Sequence, residues 1–272
     1  MLKRSQNLYL RTVNRAMGAA LRPVLFPHPD RERRASDLKG HSGLIWLETK
    51  KHGKIPALHI QTSSPYTLLY THGNAEDIGQ LGQQVRAMSE WCNASILAVE
   101  YPGYSISAAA APSERGCYEA VEAGYQYLTQ SLKLKPSSVV PFGRSLGSGP
   151  AVWVAARHPE IKLLVLQSPL ESGARCVLNK TVGYIGFPVD PFKNYMRIGR
   201  VQAQTCIMHG TADQVVPCSN GRALHAQLEK RGLAARPLWI EGRGHNDMPG
   251  DQVLSHVRRF LDEASKKALM QL

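Results

Sequence analysis

From about residue 44 the chain alternates short β-rich apolar runs with longer stretches whose apolar positions recur at helical spacing. The runs at 44–48, 55–60, 67–71, 95–100, 138–142, 163–167, 205–208 and 237–241 read as strands. Helices are predicted near 77–92, 113–131, 146–157, 219–231 and 250–268. Strand and helix alternate after residue 67, which implies an α/β domain: a mostly parallel central sheet of about eight strands with helices on both faces. The first two strands have no helix between them and predict an antiparallel hairpin at the sheet's edge. The pattern divides the chain into residues 1–27, a charged linker over 28–43, and one domain over 44–272.

The first 29 residues hold Lys3, Arg4, Arg11, Arg15 and Arg22 and no acidic residue. At about 100° per residue, Arg4, Arg11, Arg15 and Arg22 share one helical face, opposite Leu10, Val13, Met17, Leu21 and Val24. Such a basic amphipathic helix suits the interface of an anionic membrane. Its alternatives are a cleaved mitochondrial transit peptide, or a helix that docks its apolar face on the domain. The expectation is a peripheral protein on the cytosolic face of a membrane, with the mitochondrion as the alternative.

The composition narrows the class. The 272 residues are 43% hydrophobic and 20% charged, as in a soluble globular protein, and no apolar run reaches the roughly 20 residues of a membrane span. The net charge of +12 is compatible with nucleic acid, a membrane surface or an acidic partner. No nucleic-acid module accompanies it, so no nucleic acid is expected. The cysteines, Cys92, Cys117, Cys176, Cys206 and Cys218, are scattered and odd in number, as free thiols in a reducing compartment would be. A monomer is the expectation.

The chemistry begins at Gly143-Arg144-Ser145-Leu146-Gly147, which follows the apolar Val139-Val140-Pro141-Phe142 and opens a helix. This is the strand–turn–helix context of a G-x-S-x-G elbow, where a sharp turn lifts the serine hydroxyl above the sheet and both flanking positions must be small. A serine needs a base to take its proton, and in α/β-hydrolases the acid and then the histidine follow the serine in the chain. His245, in the loop after the strand at 237–241, is the expected base. Asp213, just past the strand at 205–208, is the expected acid that holds its tautomer. Asp247 is read as a cap for the last helix, His72 and His209 as structural hydrogen-bonding histidines, and His256 as a surface or packing residue. The turn His72-Gly73-Asn74 is expected to aim the backbone N–H of Asn74 at a reacting carbonyl, together with the N–H of Leu146. No zinc-type ligand spacing, dinucleotide fingerprint or Walker loop is present, so no metal or cofactor is expected.

Several strings together resemble a known family. His72-Gly73-Asn74-Ala75-Glu76-Asp77-Ile78-Gly79, Tyr101-Pro102-Gly103-Tyr104, Pro112-Ser113-Glu114, Ser168-Pro169-Leu170, His209-Gly210-Thr211, the run from Pro237 to Gly242 and Gly244-His245-Asn246-Asp247 are similar to the α/β-hydrolase domain-containing protein 17 branch. That resemblance implies an α/β-hydrolase fold, a triad of Ser145, Asp213 and His245, and removal of S-palmitoyl groups from proteins at a membrane. A carboxylesterase or lysophospholipase acting on small lipids, and a non-catalytic membrane scaffold, are the alternatives. Animal members of the family anchor through an N-terminal cysteine cluster, whereas this chain has no cysteine before Cys92; Ser105 and Ala109 replace the family's usual glycines. The short segment from Glu171 to Val201 predicts only a small cap and an open pocket mouth, with Tyr184, Ile185 and Phe187 either lining that entrance or packing the cap.

Overall fold

The computed structural model describes residues 38, 40–107, 111–177 and 190–270. The expected N-terminal helix, Ala109, and Tyr184, Ile185 and Phe187 of the expected cap lie outside the described residues. Eight strands form one sheet: β1 (Leu44–Thr49), β2 (Gly53–Ile60), β3 (Thr67–Thr71), β4 (Ser95–Val99), β5 (Val139–Arg144), β6 (Leu163–Gln167), β7 (Gln204–Gly210) and β8 (Leu238–Ile240). Their order is β1-β2-β4-β3-β5-β6-β7-β8. The β1–β2 and β2–β4 pairs are antiparallel and all others parallel, so the predicted edge hairpin and parallel body are both present.

Side chains alternate across a strand, and here both sides are buried. Leu69, Leu97, Val99, Leu164, Leu166 and Ile207 pack beneath α2 (Glu114–Gln126), α3 (Ser148–Arg157) and α4 (Ser219–Glu229). Their neighbours Leu68, Tyr70, Ile96, Ala98, Val165 and Met208 face α1 (Gly82–Cys92) and α5 (Gly250–Leu269). Two-sided burial explains why these strands read as unbroken apolar runs. Leu38, inside the stretch expected to be a linker, is fully buried against the second cluster. Among the described residues no helix is long and apolar enough to cross a membrane.

Two helix boundaries differ from the sequence pattern. The first helix starts at Gly82 rather than 77, because Asp77 accepts the Gln80 and Leu81 N–H groups and Glu100 takes that of Ile78, holding a turn. The second leaves the α-form after Gln126 and closes with one π-turn over Tyr127–Ser131.

The chain runs β3 to β4 on one side and then crosses to β5 on the other. The order of the sheet therefore reverses beside β3, and a crevice opens at the carboxyl ends of β3 and β5. There the β5–α3 turn presses on the end of β3. A Cβ at Gly147 would lie 2.0 Å from the Thr71 carbonyl oxygen, and one at Gly143 would lie 2.5 Å from that of Gly147. Thr71 Oγ1 also donates to the Gly147 carbonyl at 2.8 Å.

Since backbone cannot move aside as a side chain can, Gly147→Ala should sit at the costly end of overpacking, about 3 kcal/mol. For a domain of this size that corresponds to a fall of roughly 6–12 °C in Tm, measurable by calorimetry. An unchanged Tm would show that the two turns are not in tight contact.

Candidate active site

Ser145 sits at the carboxyl end of β5, with φ +53° and its side chain mostly buried. A non-glycine residue held in the left-handed region costs about 1–3 kcal/mol and persists only where its surroundings impose it. Here the glycines at 143 and 147 let the chain turn sharply enough to impose it. The turn continues as one 3-10 turn, Ser145–Gly147, and then α3.

The loop after β8 brings His245 over this serine. Ser145 Oγ lies 2.9 Å from His245 Nε2, and His245 Nδ1 lies 2.7 Å from Asp213 Oδ2. An ionised carboxylate can only accept, so Nδ1 carries the proton and Nε2 is left to accept the serine's. An imidazole in that tautomer can take the hydroxyl proton as the oxygen attacks. The two loops are tied together as well: Ala212 N–H donates to the Arg243 carbonyl at 2.9 Å, and Gly242 N–H to Thr211 Oγ1 at 2.9 Å.

Asp213 is gripped on both oxygens. Val215 and Val216 donate their N–H groups to Oδ1 at 2.9 and 2.8 Å, while His209 Nε2 reaches Oδ2 at 3.1 Å beside His245. Burial pushes its pKa up, but the hydrogen bonds from His209, His245 and Val216 outweigh burial and hold it well below the ordinary carboxylate range. His209 was expected to be structural; the structure adds that it touches the triad carboxylate.

The turn after β3 lies against the elbow. Asn74 Oδ1 accepts from Ala75 N–H at 3.1 Å and from Tyr104 Oη at 3.3 Å, so the side chain is occupied within its own loop. None of the described residues accepts from the Asn74 backbone N–H. Leu146 is the second residue of a helical start, where N–H groups have no partner within the helix. Both are therefore available donors.

Sequence reasoning missed the residues that join these loops. Arg144 forms an ion pair with Glu76 and donates to Asn246 Oδ1 at 2.8 Å, and Glu76 accepts the Gly73 N–H at 2.7 Å. One guanidinium thus spans the elbow, the turn after β3 and the histidine loop. Partners so far apart in the chain leave no periodic signal; the sole hint was a charged residue between Gly143 and Ser145. Asp247 departs from its expected role. Its carboxylate accepts the Gly244 N–H at 2.5 Å within the histidine loop, and α5 begins after Pro249 without a side-chain cap. His256 is buried in α5 and donates to the Arg236 carbonyl. Ser105 adopts φ +49°, reproducing with a serine the left-handed turn that a glycine would make freely. All five cysteines are free; burial, partly opposed by the neighbouring Arg222, raises the pKa of the Cys218 thiol beside the acid loop.

A cavity of about 290 Å³ opens beside His245, with Arg144 and Gln167 among its polar residues and Met88, Met248 and Leu254 among its apolar ones.

The strand order, with a left-handed serine on the β5–α3 turn, is the architecture of an α/β-hydrolase of the serine-hydrolase type. Comparison with known proteins is more specific: the chain belongs to the prolyl oligopeptidase family, matched over residues 113–268, and to the α/β hydrolase domain-containing protein 17 group. It is 34% identical over 218 residues to α/β hydrolase domain-containing protein 17B of Homo sapiens, spanning 79% of this chain and 73% of that one. Protein 17C of Mus musculus is 34% identical over 200 residues, 73% of this chain and 60% of the relative. Among solved structures, an esterase of Pyrococcus furiosus superposes with a TM-score of 0.68 at 15% identity, covering 87% of this chain and 96% of that one. A monoacylglycerol lipase of Paleococcus ferrophilus gives 0.58 at 18% identity, covering 76% and 98%.

A group whose pKa is lowered by folding stabilises the native state above its unfolded pKa, and loses that contribution as pH falls toward the lower folded value. The stability advantage of the wild type over Asp213→Asn should therefore be complete at pH 7 and smaller at pH 3, below the unfolded aspartate value of about 3.9. Urea unfolding of both proteins at the two pH values measures it. An equal advantage at pH 7 and pH 3 would mean that folding does not favour the ionised carboxylate.

Proposed function

We propose that the protein removes S-palmitoyl groups from proteins by way of a covalent acyl-enzyme. The observation that carries this reading is the continuous line from Ser145 Oγ through the His245 imidazole to Asp213, with steps of 2.9 and 2.7 Å. Ser145 Oγ attacks the thioester carbonyl carbon while His245 Nε2 takes its proton, and Asp213 stays ionised and stabilises the imidazolium. The oxyanion is met by the N–H groups of Asn74 and Leu146. Collapse breaks the carbon–sulfur bond, and His245 returns the proton to the departing thiolate. Water, deprotonated by His245, then releases the fatty acid and restores the serine. The motif strings shared with the domain-containing protein 17 group support the thioester substrate. The short cap segment between Glu171 and Val201 supports a protein-borne one, since a tail can reach the site while its protein stays outside. In the same reading the basic segment 4–24, with its expected amphipathic pattern, holds the enzyme at the cytosolic face of a membrane, where acylated proteins reside.

The cavity favours a second reading. If an acyl chain enters the cavity beside His245, its volume of about 290 Å³ corresponds, at about 30 Å³ per water-sized group, to roughly ten methylenes, fewer than a palmitoyl chain carries. A carboxylesterase working on short acyl esters would fit it better, whereas a lysophospholipase would face the same chain-length limit as the first reading.

A fluorophosphonate probe should label the wild type and not Ser145→Ala, and His245→Ala should lose nearly as much kcat as Ser145→Ala, at least about 10⁴-fold. Labelling that survives Ser145→Ala would remove Ser145 from its role, and a wild type that is not labelled would favour the scaffold reading. Comparing kcat/KM on an S-palmitoyl peptide, an S-octanoyl peptide and a lysophospholipid separates the two enzymatic readings; preference for the lysophospholipid would defeat the first. For the membrane, sedimentation with anionic liposomes should weaken on deletion of residues 1–27, and equal sedimentation would defeat that role.

A further inference from the structure

Beneath the turn that carries Asn74 lies a buried hydrogen-bonded pair that the proposed reaction does not use. Thr71 and Val99 are paired in register on the parallel strands β3 and β4, so the next residues, His72 and Glu100, leave the sheet side by side. Both are fully buried, with His72 Nε2 2.8 Å from Glu100 Oε1. Glu100 is itself fixed, accepting Tyr101 N–H on Oε1 at 2.8 Å and Ile78 N–H on Oε2 at 3.1 Å. The Tyr101 ring packs on the imidazole with centroids 4.2 Å apart, and its hydroxyl donates to the His72 carbonyl at 2.8 Å. The remaining ring nitrogen, Nδ1, lies 2.9 Å from the Gly73 carbonyl oxygen. A carbonyl only accepts, so Nδ1 donates to it.

That last bond has a consequence one atom further on. The described residues contain no cis peptide, and in a trans peptide the C=O and the following N–H point in opposite directions. With the Gly73 carbonyl drawn toward the buried ring, the Asn74 N–H must point away from it, on the side where none of the described residues takes it. Left alone, this peptide would turn over easily. Gly73 has no Cβ to resist the change, and asparagine is among the residues that tolerate the left-handed region. A flipped peptide would present a carbonyl oxygen where the donor belongs and repel a developing oxyanion.

The geometry points to His72, held by Glu100, as a positioning residue that locks the Gly73–Asn74 peptide so that its N–H serves the oxyanion. The inference rests on the reading of Ser145 as nucleophile and Asn74 as donor. It assigns His72 no contact with substrate.

His72→Phe keeps a ring of similar size but cannot donate to Gly73, and His72→Asn places an amide nitrogen near the position of Nδ1. Steady-state kinetics on a p-nitrophenyl ester should show kcat lowered about 10- to 100-fold in His72→Phe, below the full loss of an oxyanion donor, with KM within about threefold. His72→Asn should recover most of that loss and also serves if the phenylalanine variant folds poorly. A second readout does not depend on turnover: in ¹⁵N-resolved NMR the Asn74 amide should be a single sharp resonance in the wild type and in His72→Asn. In His72→Phe it should be doubled or exchange-broadened. An Asn74 resonance unchanged in folded His72→Phe would overturn the lock, and a changed resonance with unchanged kcat would overturn the positioning role. The two failures separate. A wild type without Ser145-dependent turnover removes the reaction, whereas the amide signal reports on the peptide in either case.

Discussion

The backbone of Gly147 rests against the carbonyls of Thr71 and His72, and no side chain larger than hydrogen could stand there. That contact presses the serine turn onto the end of β3, beside the Asn74 turn. The Thr71 hydroxyl reinforces it by donating into the same turn. Were the two turns a few ångströms further apart, Ser145 could adopt an ordinary conformation, and its φ of +53° would have nothing to enforce it. The strained serine, the free N–H of Leu146 and the turn carrying Asn74 all depend on this approach.

Around that contact, buried charge is concentrated and fully engaged. Asp213 accepts two backbone N–H groups and faces two histidines; Glu100 accepts two backbone N–H groups and faces His72. Leaving one such carboxylate unpaired in the interior would cost several kcal/mol, so each fixes the loops that supply its donors. The partly exposed Arg144–Glu76 pair ties together the segments that hold Ser145, Asn74 and His245. Part of the rigidity of the site thus comes from groups that never meet a substrate.

The fold was largely legible because its signals are local. Apolar runs such as Leu163–Leu166 read as strands buried on both faces, and all eight strands and five main helices overlap their expected ranges, with two helix boundaries shifted. The three residues expected to act together, Ser145, Asp213 and His245, each carried a strand-end address, and the structure brings them within hydrogen-bond reach. The illegible parts depend on contacts across the chain. Glu76 and Arg144 are 68 residues apart, and the Asp247 carboxylate turned back into its own loop instead of capping α5. His209 read as a structural hydrogen-bonding histidine at a strand end, but only the fold of β7 and its loop shows that its partner is Asp213.

The amino-acid sequence by itself determined the element order, the two-sided burial of the sheet and the glycines that permit the elbow, since each follows from periodicity, volume or backbone freedom within a few residues. Only the tertiary structure decided which polar groups meet. Strand register sets His72 beside Glu100, and loop closure sets His209 and His245 on one carboxylate. Hydrogen bonds act over about 3 Å between groups tens of residues apart, a distance that exists only once the sheet has formed.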